Sequence, residues 1–123
     1  MRVQRKRERG WRLPEGAVIV DRTSRWGNPW VIRRRLENRP VGGQPARWRW
    51  DVENSETGHF ERSCESQEEA HRVAAEMFRE WTLEWWLAAD PGVLGPLRGR
   101  DLACWCGPGL PCHADVLLEV ANG

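Results

Sequence analysis

The chain has no tyrosine, two phenylalanines and one lysine, and no apolar run of membrane-spanning length. The last absence excludes a transmembrane helix, which needs about 20 consecutive apolar residues. The N-terminus is charged and no apolar h-region follows it, unlike a secretory leader. A cytoplasmic location is therefore expected, with the four cysteines reduced. No glycine-rich dinucleotide fingerprint is present, so no redox cofactor is expected. No internal repeat is visible. The formal net charge of +1 excludes a uniformly basic polyanion-binding surface.

Nine tryptophans take the place of the missing aromatics, and eighteen of the nineteen basic residues are arginine. Most of the indoles are expected in the core, where a small domain needs large apolar side chains. The arginine excess fits a GC-rich coding bias as readily as a preference for bidentate anion contacts. Charge is unevenly spread. Arg2, Arg5, Lys6, Arg7, Arg9 and Arg12 crowd the start, Arg33, Arg34 and Arg35 form a second cluster, and the acids gather between Asp51 and Glu84. Such a dipolar surface attracts phosphate locally. The length suits one domain over residues 1–123, with residues 1–12 as a basic arm or edge strand.

Residues 17–20, AVIV, read as a short strand buried on both faces, the kind found in parallel sheets. Residues 31–35 and 47–53 read as an antiparallel pair, because Trp48, Trp50 and Val52 alternate with Arg49, Asp51 and Glu53. The connection at 38–45 is rich in glycine and proline and reads as loop, and residues 59–62 suggest a third short strand. A helix is expected from Ser66, which with Glu69 forms a capping box. Its apolar stripe is Ala70, Val73, Ala74, Met77, Phe78, Trp81 and Trp85, ended by Asp90-Pro91-Gly92. Residues 102–106, LACWC, give another strand, and Val116, Leu117 and Val120 mark a final helix. The fold class is therefore α/β: a small, mostly parallel sheet with flanking helices and an inserted antiparallel hairpin. If strands 17–20 and 102–106 run parallel side by side, the long helix is their right-handed crossover. The loop at 22–30 then faces the cluster at 104–115 across a crevice, where open α/β sheets bind ligands.

Three chemistries compete at that crevice. Cys104, Cys106, Cys112 and His113 have the ligand inventory for tetrahedral zinc, although the adjacent Cys112-His113 pair is an unusual spacing. The bland alternative is small buried thiols packed beside a tryptophan. Cys64 is remote and read as a bystander. A second chemistry is nucleophilic or acid–base. A thiol at a helix start has a lowered pKa, so Cys112 could act as a thiolate with His113 or Asp115 assisting, or His113 and Asp115 could form a general base and its carboxylate partner. Asp115 also has an ordinary role, favouring the helix dipole. The third is anion binding. Arg22, Ser24, Arg25, Gly27 and Asn28 form a loop rich in phosphate donors, and Trp26, Trp30 or Trp105 could stack a base.

The leading expectation is a small enzyme acting on a nucleotide, nucleoside or nucleic-acid base, hydrolysing or transferring at a glycosidic or phosphoester bond. It needs no cofactor, or zinc. Its catalytic residues would be His113, Asp115 and Cys112, and its ligand residues Arg22, Ser24, Arg25, Trp26, Gly27, Asn28 and Trp105. The alternative is a non-enzymatic, zinc-stabilised module that binds nucleic acid through the basic start of the chain. A third option is a protein-interaction module anchored by exposed Trp48 and Trp50. No membrane partner is expected.

The segments RVQRKR at 2–7, SRWGNPW at 24–30, LRGRDLACWC at 97–106 and PCHADVLLE at 111–119 give the chain a resemblance over nearly its whole length. It resembles a family of short bacterial, archaeal and phage proteins known as domain of unknown function 4326. The resemblance implies a compact α/β domain, often encoded in actinobacteria and their phages. It carries over no catalytic residue, because the family has no settled activity.

Overall fold

Leu102, Ala103 and Cys104 are uncharged and wholly buried, so this strand must be covered on both faces and paired on both edges. The computed structural model, which describes residues 1–38, 42–43 and 45–123, meets that requirement. The elements run β1 (Arg2–Gln4), β2 (Val18–Ile19), β3 (Trp30–Asn38), β4 (Arg47–Asn54), β5 (Phe60–Cys64), α1 (Gln67–Met77), α2 (Leu83–Ala89), β6 (Leu102–Cys104) and α3 (His113–Asn122). Strand β6 lies between β1 and β2, and both pairings are parallel, with Leu102 opposite Arg2 on one side and Val18 on the other. The start of the chain is thus an edge strand rather than a free arm. Residues 39–41 and 44 of the expected hairpin loop lie outside the described residues.

Strands β3, β4 and β5 form a separate antiparallel sheet. Its period-two pattern sorts the side chains. Trp30, Ile32, Trp50 and Val52 face the core, and Arg33, Arg35, Arg47 and Arg49 face outward. The outer arginines pair with Glu53, Asp51, Glu37 and Glu65. Helix α1 packs on the inner face and against α3, which in turn lies on β6. No described helix is long and apolar enough to cross a membrane.

The α1 start follows the capping logic with one change. Ser66 Oγ accepts from the Glu69 N–H at 3.1 Å, whereas the Glu69 carboxylate reaches the Glu65 N–H at 3.2 Å. The expected stripe holds through Ala70, Val73, Ala74, Met77 and Phe78, all buried. It fails beyond. Trp81 and Trp85 are exposed, at 57% and 76%. A π-helical turn over Phe78–Thr82, closed by the Leu83 N–H on the Phe78 carbonyl, inserts one residue into the helix. The apolar face is thereby rotated onto Leu83, Trp86 and Leu87. Trp86 then packs edge-on against Phe78 and Trp26, and Trp30 Nε1 donates to Thr82 Oγ1 at 3.1 Å.

Strands β2 and β6 are shorter than the expected 17–20 and 102–106. Strand β6 ends at Cys104, and the chain bends at Trp105-Cys106. Cys106, in that bend, lies beside Cys104 and the Cys112 N-cap of α3.

Candidate metal centre and cleft

The loop after β2 is built on Asp21. Its Oδ1 accepts the Thr23 N–H at 2.9 Å and the Thr23 hydroxyl, and its Oδ2 pairs with Arg5 from beyond β1. Burial alone would push the Asp21 carboxyl up, but these donors together hold it below the usual aspartate value. Ser24 closes the turn by donating to the Asp21 carbonyl and accepting from the Trp26 N–H. Gly27 is required by close approach, since a Cβ there would sit 2.7 Å from the Arg22 Cα. Asn28 ties the loop to α1: its Nδ2 donates to the Ala74 carbonyl at 3.1 Å and its Oδ1 accepts the Trp30 N–H at 2.9 Å.

Opposite this loop, the Sγ atoms of Cys104, Cys106 and Cys112 all lie within 4.8 Å of one another, and no disulfide joins them. Cys104 and Cys112 are 3.2 Å apart. Cys112 is the N-cap of α3, and its sulfur accepts the Ala114 N–H at 3.5 Å. Hydrogen bonds from Cys104 and Cys106, helped by His113, outweigh burial and depress the Cys112 pKa strongly. Its neighbours move the other way. Cys106 is pushed up by the other two sulfurs and by burial. For Cys104, a hydrogen bond with Cys106 lowers the pKa, but Cys112 and burial prevail and carry it to about 11. Three close thiols are a group that could hold a metal ion, and the loop that presents them is pinned from outside. Arg2 donates to the carbonyls of Leu110 and Pro108 at 2.8 Å and of Gly107 at 3.2 Å.

His113 and Asp115 are not placed as a catalytic pair. His113 is 7% exposed, and its Nε2 points at the carbonyl oxygens of Val20 (2.7 Å) and Trp26 (3.1 Å). Carbonyls only accept, so Nε2 carries a proton and donates it. The ring stacks edge-on against Phe78, and Nδ1 lies 3.7 Å from Cys112 Sγ. His113 stands outside the trio of clustered ligand atoms. Asp115 turns to the surface and pairs with Arg2 at 3.3 Å. It lines a separate shallow depression with Arg72 and Arg79.

A cleft of about 670 Å³ lies between the two walls. Of the residues expected to form the site, Arg22, Asn28, Trp30, Trp105, Cys104, Cys106, Cys112 and His113 line it together. Ser24, Arg25, Trp26 and Gly27 do not line it. Ser24 and Gly27 shape the turn, Trp26 is buried, and Arg25 lies over the Trp26 ring at 4.2 Å. The remaining walls were not anticipated: Asp21, Arg34 and Trp50 from the loop and hairpin, and Gln67 and His71 from α1. Burial depresses the His71 pKa, against the opposing pull of the Pro111 carbonyl and Cys112 beside it. Alternation along the hairpin already places Arg34 and Trp50 on the face of Ile32. His71 sits on the flank of the α1 stripe, where the sequence gives no hint of what lies opposite.

The family model described as domain of unknown function (DUF4326) matches residues 3–123, and the chain belongs to that family. No curated protein and no solved structure matches it.

Proposed function

We propose that this DUF4326 chain binds a nucleotide or nucleoside in the cleft and acts on it by hydrolysis or transfer at a glycosidic or phosphoester bond. One observation carries the reading. Arg22 and Arg34 face the cleft without a carboxylate partner among the described residues, whereas Arg33, Arg35, Arg47 and Arg49 on the other face of the hairpin are all paired. Two unneutralised guanidinium groups beside Trp50 and Trp105 suit a ligand that joins a phosphate to a flat ring. The cleft is also large enough for a mononucleotide.

The three cysteines supply the second element. Their donor set is soft, compact and in the cleft wall, which fits zinc better than magnesium or calcium. A zinc ion with three protein ligands and one open position polarises bonds to oxygen and lowers the pKa of water. Cys104, Cys106 and Cys112 would hold it, with Arg2 fixing their loop. Arg22 and Arg34 bind the phosphate, Trp50 and Trp105 the ring. Asn28 and His113 hold the two walls in register. In this reading His113 and Asp115 are structural rather than acid–base groups.

Isothermal titration of the purified chain with nucleoside mono-, di- and triphosphates, and with the parent nucleosides, tests the binding. The Arg22→Ala, Arg34→Ala double variant should bind phosphorylated ligands about tenfold or more weakly, from the loss of charge-assisted contacts. Chromatographic product analysis then tests turnover. Absence of saturable binding by every nucleotide would sink the proposal. Binding without turnover would favour the non-enzymatic reading, a zinc-stabilised nucleic-acid-binding module, which one further contact supports: Arg5 and Arg7 lie over the exposed Trp105 ring at 4.6 and 5.1 Å.

A further inference from the structure

The inner face of the hairpin does not end where α1 stops covering it. Beyond Trp50, which lines the cleft, the same face continues through Arg34 to Trp48 and Leu36. Leu36 and Trp48 are cross-strand partners, 37% and 39% exposed, and they add nothing to the buried core. Arg34 stands between the two tryptophans. It pairs in register with Trp50, and its guanidinium lies 4.0 Å over the Trp48 ring. On the opposite rim Trp105 is 40% exposed and carries Arg5 and Arg7 on its ring. Each end of the cleft therefore has an exposed indole with an arginine stacked on it.

Resting on the nucleotide reading of the cleft, we propose that its ligand is one unit of a single polynucleotide strand, which leaves the cleft over the Trp50–Arg34–Trp48 face. Charge and shape decide the class of occupant. Arg34 and Arg7 have no carboxylate partner among the described residues, so the track is basic where the outer face of the same hairpin is neutralised. Trp48 and Trp50 are two residues apart on one strand face, which separates them by about 7 Å. That spacing matches the advance of one unit in an extended nucleic-acid strand, and indoles stack any base without regard to sequence. A duplex would hide the base faces these rings need. A free mononucleotide would leave Trp48 and Leu36 without a role.

Fluorescence anisotropy of labelled oligothymidylate and oligouridylate, at mono-, tri- and nonanucleotide length, tests this on the intact chain. Affinity is expected to rise at least tenfold from mono- to nonanucleotide and to fall steeply with added salt. Trp48→Ala should lower nonanucleotide affinity about tenfold and mononucleotide affinity far less, that smaller loss coming through Arg34, which stacks on Trp48, and Trp48→Phe should largely restore both. DNA binding, RNA binding or both would support the proposal. Equal affinity for mono- and nonanucleotide would overturn it while leaving the nucleotide cleft standing, as would equal affinity for a duplex. No binding at any length would overturn the strand proposal, and the titration with the full set of nucleotides then decides whether the cleft reading falls with it.

Discussion

The proton on His113 Nε2 is shared between the carbonyl oxygens of Val20, at 2.7 Å, and Trp26, at 3.1 Å. One side chain in the first turn of α3 therefore satisfies the end of β2 and the turn that presents Arg22. The two walls of the cleft are joined through that ring.

His113→Ala is accordingly expected to destabilise the whole chain. It strands two buried carbonyls and opens a void against Phe78. The two effects together are of order 2–4 kcal/mol. Urea unfolding followed by tryptophan fluorescence reads the change directly. A variant that kept its unfolding midpoint and lost only turnover would return His113 to catalysis.

The cysteine trio makes a prediction about composition. Protein purified without added metal should contain one zinc per chain by elemental analysis, and strong chelators should lower its melting temperature. Cys104→Ser and Cys112→Ser should each lose the metal. Cys64→Ala should keep it, although it will cost stability by emptying part of the core. Metal-free wild-type protein of undiminished stability would leave three packed thiols and nothing more.

The π-helical turn predicts an inversion of ordinary expectation on the long helix. Leu83, 2% exposed, should cost about 2–5 kcal/mol when replaced by alanine. Trp85, at 76% exposed, should cost no more than about 0.5 kcal/mol despite its size. Thermal melts of the two variants decide the matter. The reverse order would mean that the helix runs on unbroken and the original stripe is correct.

That helix also shows where sequence reasoning reaches its limit. Strict 3.6-residue spacing from Ala70 to Phe78 is visible in the sequence because local geometry dictates it. The inserted residue after Phe78 is not, because what stabilises it is tertiary: Trp86 finds Phe78 and Trp26, and Thr82 finds the Trp30 indole. The parallel pairing of β2 with β6 was legible from two short apolar runs, and it brought Asn28 and the cysteines to one cleft. The roles within the cleft were less so. His113 and Asp115 looked alike as chemistry, but each depends on a partner far away in sequence, Val20 for one and Arg2 for the other. Arg2 itself gave no signal beyond being one more basic residue near the start.

Asp21 yields a prediction about pH. Its buried carboxylate is held below the ordinary value near 3.8, because the Thr23 hydroxyl and N–H and the Arg5 guanidinium together outweigh the cost of burial. A carboxylate whose pKa is depressed on folding contributes stability that is fully present above its unfolded pKa. That contribution is lost as pH falls through the folded value. Asp21→Asn keeps an acceptor for Thr23 but removes the charge that Arg5 faces. At neutral pH the variant should be less stable than wild type by about 1–3 kcal/mol, the range for a charge-assisted hydrogen bond that loses one partner. The gap should narrow steadily once pH drops below 3.8. Urea midpoints measured across that interval supply the test, and a gap that stays constant with pH would mean the carboxylate is no more favoured in the folded chain than in the unfolded one. Arg5 also stacks on Trp105, so the same substitution should loosen that rim and raise the accessibility of the Trp105 indole to a soluble quencher.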